Sequence, residues 1–67
     1  MREKIIEYLK KNPGARKRYI AASLNVWQCS FEFLATIDDL CEEGIIYSEY
    51  YRDPANMEFY DKWYVVE

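Results

Sequence analysis

Apolar residues recur at helical spacing up to Cys41 and change period after Gly44. In the first segment, Arg2 to Lys11, Ile5, Ile6 and Leu9 fall at i, i+1 and i+4 with charged residues between them, which predicts an amphipathic helix. Asn12-Pro13-Gly14 ends it, because proline cannot continue a helix and glycine permits the reversal. A second helix is predicted from Ala15 to Leu24, with Tyr19, Ile20, Ser23 and Leu24 on one face. Asn25 tolerates positive φ and suits a tight turn. A third helix is predicted from Trp27 to Glu43. It places Ser30, Phe33, Leu34, Ile37, Leu40 and Cys41 on one side, and Gln28, Phe31, Glu32, Ala35, Asp38, Asp39 and Glu42 on the other. Gly44 is expected to stop it with positive φ.

Beyond Gly44, Ile45 to Tyr51 is rich in β-formers, Arg52 to Asn56 carries turn residues, and Met57 to Val66 is a second β-rich run. Two such runs around a short loop predict a hairpin. Strand alternation sets Tyr47, Glu49 and Tyr51 on one face and Ile46, Ser48 and Tyr50 on the other. In the second run Phe59, Asp61, Trp63 and Val65 oppose Tyr60, Lys62, Tyr64 and Val66, so both faces keep aromatics. The expected core is Ile5, Leu9, Ile20, Leu24, Leu34, Ile37, Leu40 and Ile46, closed by a hairpin aromatic such as Trp63. The fold class is α+β, one domain over residues 1–67.

Composition narrows the function classes. With 51% hydrophobic and 18% aromatic residues the chain has enough apolar surface to fold, so disorder is not expected. There is no histidine, no glycine-rich phosphate loop, and no cysteine or serine with a base beside it; no catalytic site, metal site or cofactor is expected. Cys29 and Cys41 lie twelve positions apart, too far along one helix to bridge, and both are expected to be buried. Met1 opens onto a charged segment and no apolar run is long, so neither a signal peptide nor a membrane span is expected. Free thiols fit a reducing, cytoplasmic setting.

Charge changes the picture more than composition does. Residues 1–18 hold seven basic and two acidic residues, net +5; residues 19–67 hold two basic and ten acidic, net −8. The basic run Arg16-Lys17-Arg18, near Lys10 and Lys11, reads as a phosphate-binding surface at the start of the second helix, or as a solvated face paired with the acidic third helix.

The segments Ile20-Ala21-Ala22-Ser23-Leu24-Asn25-Val26 and Leu40-Cys41-Glu42-Glu43-Gly44-Ile45-Ile46 resemble the second helix with its turn, and the step from third helix into wing, of the winged helix-turn-helix family. The resemblance covers the chain in layout and implies DNA binding, with the third helix in the major groove and the wing on the backbone. The chain departs from the family in two ways: the stretch from Leu24 to Leu40 is about two residues longer than usual, and residues 28–43 contain no Lys or Arg.

Two functions follow. In the first, the chain is a small transcriptional regulator of phage, plasmid or viral type that contacts duplex DNA through Arg16, Lys17, Arg18, Gln28, Ser30, Arg52 and Asn56. In the second, it is a protein-interaction winged helix. Glu32, Asp39 and Glu42, at i, i+7 and i+10, together with Tyr50, Tyr60 and Tyr64, would then meet a basic protein partner, or a second copy through the aromatic wing.

Overall fold

The computed structural model describes residues Met1–Val66. The elements run α1 (Arg2–Lys11), α2 (Lys17–Ser23), α3 (Phe31–Glu42), β1 (Ile46–Asp53) and β2 (Glu58–Val65). Three helices followed by an antiparallel hairpin is the order the sequence predicts.

Both later helices end alike. After α2 the Val26 N–H donates to Ala21 O at 3.0 Å, and Asn25 sits at φ 58°. After α3 the Ile45 N–H donates to Leu40 O at 2.9 Å, and Gly44 sits at φ 74°. These are Schellman endings, which need a left-handed residue to turn the chain back and satisfy the last carbonyls. The positive φ expected at Gly44 is present.

The helix starts differ from expectation. Helix α2 begins at Lys17, not Ala15, because Ala15 is in a β-bridge with Trp63 and Arg16 is extended at φ −83°, ψ 157°. Helix α3 begins at Phe31, not Trp27. Ser30 is its N-cap, with Oγ accepting from the Phe33 N–H at 3.5 Å, and the Ser30 N–H closes a turn onto Trp27 O at 3.1 Å. Side-chain capping at Ser30 competes with extending the helix backwards through Cys29 and Gln28. The two cysteines are therefore not on one helix, and Cys29 is exposed rather than buried.

The core is one cluster of Ile5, Leu9, Ile20, Ala21, Phe33, Ile37, Leu40, Ile46 and Trp63. Leu24 and Leu34, expected inside, are only half-buried and pack against its edge. Phe33 and Ala21 occupy interior places instead. Strand β1 pairs with β2 in the register Ile46↔Val65, Ser48↔Trp63, Tyr50↔Asp61 and Asp53↔Glu58, so β1 extends two residues further than predicted and the turn falls at Pro54–Met57. Among the described residues no helix is long and apolar enough to cross a membrane.

Candidate nucleic-acid interface

The wing is fastened to the start of α2. The Trp63 N–H donates to Ala15 O at 3.0 Å, and the Gly14 N–H donates to Trp63 O at 2.8 Å. Gly14 has φ +83°, and a Cβ there would come 3.3 Å from the Tyr64 hydroxyl, so the close approach of loop and wing depends on a residue without a side chain. This single rung sets the basic run beside the second wing strand. One cleft of about 200 Å³ is lined by Arg16, Lys17, Arg18, Gln28, Tyr60, Asp61 and Trp63. Three of the seven residues expected to touch nucleic acid share its wall with Gln28, so four of them lie together.

Their states differ. The Arg16 guanidinium lies over the Tyr60 ring, 3.6 Å from its centroid, and pairs with the Glu58 carboxylate at 3.2 Å. Lys17 Nζ stands 5.2 Å from the centroid of Trp63, and the Arg18 guanidinium 5.5 Å from that of Tyr19. Among the described residues neither Lys17 nor Arg18 has an ion-pair partner. Among the described residues the pairing with the acidic third helix, one of the two readings of this run, does not form, and the bond that Arg16 makes to a carboxylate goes to the wing. Arg16 and Glu58 are 42 positions apart, and no local pattern in the sequence signals the contact.

The other expected contacts lie elsewhere. Ser30 is occupied by capping α3. At the wing tip the Asn56 amide donates to Asp53 Oδ2 at 3.0 Å and the Ala55 N–H to Asp53 Oδ1 at 3.0 Å, so Asn56 braces the turn. The Arg52 guanidinium lies 5.4 Å from the Phe59 centroid. Neither tip residue lines the cleft.

The residues named for a protein partner also divide. Glu32, Asp39 and Glu42 are exposed and unpaired among the described residues. Tyr50 is 68% exposed. Tyr60 and Tyr64 are not free surface: both are half-buried, Tyr60 beneath Arg16 and against Tyr51, Tyr64 stacked on Tyr47 at 5.3 Å. Cross-strand stacking covers one ring with the other, which is why alternation alone overstates what the wing shows to solvent.

Trp27 and Phe31 are the most exposed of the large apolar side chains that the sequence pattern does not mark as site residues. Trp27 is 78% exposed in the turn before α3, and Phe31 is 91% exposed at its first position. The polar side of the helical wheel contained Phe31, and that placement was the available signal.

Among the described residues no group of three or more His, Cys, Asp or Glu is arranged to hold a metal ion. The Cys41 thiol is pushed up from its ordinary value by burial, with Asp38 adding to the effect and Lys17 opposing it.

No family model matches the chain, and no curated protein does. Among solved structures it is similar to the transcriptional regulator PcaV from Streptomyces coelicolor, determined in complex with its natural ligand. The TM-score is 0.73 and the identity 14%, over 98% of this chain and 43% of that one. The chain thus spans less than half the length of that regulator. A likeness at this identity is one of fold, and the fold is the winged helix.

Proposed function

We propose that this chain is a winged-helix module that binds duplex DNA as part of a transcriptional regulator. One observation carries the reading: Lys17 and Arg18, unpaired among the described residues, stand with Arg16 and Gln28 around one cleft between the start of α2 and the wing. Unpaired cations beside a polar side chain that can reach a base or a phosphate are what duplex binding requires. The winged-helix fold of a known regulator supports the same reading by analogy.

In this arrangement Lys17 and Arg18 hold the phosphate backbone. Gln28, exposed in the turn before α3, is placed to reach a base edge or a phosphate. Arg16 acts mainly as a clamp on the wing, since Tyr60 and Glu58 already hold it. The test is titration of random-sequence duplex DNA at several salt concentrations with the wild-type chain and with Lys17→Glu/Arg18→Glu. Affinity that falls steeply with salt, and uniformly across sequences in the variant, supports the reading. Equal affinity in both proteins removes the cleft from the interface.

A second reading is favoured by carboxylates of α3 that have no ion-pair partner among the described residues. Glu32, Asp39 and Glu42 give that helix an acidic outer surface suited to a basic protein partner, and exposed Tyr50 extends an apolar surface on the wing that a second copy could share. Light scattering and a pull-down with a basic peptide array separate it from duplex binding.

A further inference from the structure

The exposed residues of α3 are Phe31, Glu32, Ala35, Asp38, Asp39 and Glu42. None of these side chains donates a hydrogen bond when ionised as usual. Purines are read in the major groove by Arg, Lys, Asn or Gln, and this face offers none of them. Its carboxylates can accept from a base amino group such as cytosine N4 only by approaching phosphates that repel them, whereas its apolar side chains match the thymine C5-methyl, the group that apolar contact recognises in the major groove. Phe31 is 91% exposed at the first position of the helix and contributes nothing to the core cluster. Exposed Ala35, one turn on, lies on the same side.

The carboxylates fix which part of the helix can come close. Asp38 and Glu42 continue the stripe that begins at Phe31, but Asp38 lies roughly 10 Å further along the axis. A helix laid lengthwise in the groove would bring them against phosphates; a helix entering by its first turn keeps them out and leaves only Glu32, about 100° round the helix from Phe31, near the duplex. Its first residue, Phe31, lies three positions beyond Gln28, which shares the cleft with the cations Lys17 and Arg18.

We propose that Phe31 is a specificity-determining residue that reads thymine methyl groups, so that α3 recognises sequence by apolar contact from its first turn. The inference rests on the duplex-binding reading above and goes beyond it by naming the chemical group read.

The experiment selects duplexes from a random pool with the full chain and replaces each thymine of the best duplex by uracil, which removes the methyl and keeps the pairing. The wild-type chain loses roughly three- to fivefold in affinity at one or two thymines, the worth of burying one methyl. Phe31→Ala binds the thymine and uracil duplexes alike, and Phe31→Leu restores part of the difference. Because Phe31 lies outside the core, the variants keep the wild-type circular dichroism and melting temperature. Indifference of the wild-type chain to uracil at every position overturns the proposal, as does a uracil penalty that persists in Phe31→Ala. If binding is still salt-sensitive and lost in Lys17→Glu/Arg18→Glu, only the thymine contact has failed. If no duplex is enriched, both readings fail together.

Discussion

Trp63 is joined to Ala15 by a backbone hydrogen bond of 3.0 Å, a one-rung extension that ties the wing to the loop ahead of α2. The same residue is 6% exposed and closes the core, with its indole Nε1 buried and unpartnered. It is therefore both a packing element and the joint of the cleft.

Replacing Trp63 by Ala should cost about 3–5 kcal/mol of stability, the range for truncating a buried aromatic. Urea unfolding measures it. The backbone N–H at position 63, which bonds to Ala15 O, should exchange faster in the variant as the wing loosens. A loss under about 1 kcal/mol would show that the wing contributes little to the core.

Gly44 separates backbone strain from crowding, because a Cβ there meets nothing within 4 Å while φ is +74°. Gly44→Ala should cost about 1 kcal/mol, and Gly44→Asn clearly less, since asparagine visits the left-handed region more readily. Thermal melts of the two variants side by side decide it; equal losses would place the cost somewhere other than φ.

Arg2 and Glu43 form an ion pair of 2.6 Å between the first turn of α1 and the end of α3. Each charge stands at the unfavourable end of its own helix dipole, so the pair relieves two misplacements. Hydrogen bonding from the Arg2 guanidinium holds the Glu43 carboxyl below the usual carboxylate range. A lowered folded-state value means that the stabilisation is present above the ordinary value and is lost as pH falls through the folded one. The difference in melting temperature between wild type and Glu43→Gln should be visible near neutrality and fade in acid, at a pH below the ordinary carboxylate value. Arg2→Gln/Glu43→Gln should be less destabilised than the sum of its single variants.

Cys29 is exposed and Cys41 is half-buried with its thiol pushed up. A thiol-reactive dye should modify one cysteine quickly and the second slowly, and Cys29→Ser should abolish the fast phase. Two fast phases would mean that α3 does not hold Cys41 against the core.

Replacing Glu32 and Asp39 by Gln should strengthen binding to random duplex DNA several-fold at low salt, through relief of repulsion from phosphates. Fluorescence anisotropy of a labelled duplex reads this out. Under the protein-partner reading the same variant should instead slow association with the basic partner.

The helices were legible wherever periodicity and punctuation agreed. Ile5 and Leu9 mark the buried side of α1, Ile37 and Leu40 that of α3, and Asn25 and Gly44 the two left-handed endings. The starts of α2 and α3 were not, because both are decided by competing bonds. Ala15 joins Trp63 across a long sequence gap, and Ser30 caps where its neighbours are tolerable in a helix. The candidate site shows the same division. Arg16, Lys17 and Arg18 are adjacent in sequence and stayed together in space. That Arg16 is held by Tyr60 and Glu58, and that Tyr60 is covered in consequence, depends on hairpin register and twist, which no local pattern encodes.

The Arg16–Glu58 pair carries a consequence for ion release. An exposed lysine or arginine that meets a phosphate sets mobile ions free, and each such contact steepens the dependence of affinity on salt by about 0.9 in log–log slope. Arg16 has its anion built into the wing. If a phosphate draws it away from Glu58, one fixed anion replaces another and few mobile counterions leave. In this cluster the slope should therefore count Lys17 and Arg18 but hardly Arg16, and Glu58→Gln should steepen it by up to one further contact. The wing then acts as a tethered counterion, adjusting how strongly the module responds to ionic strength without touching the duplex itself.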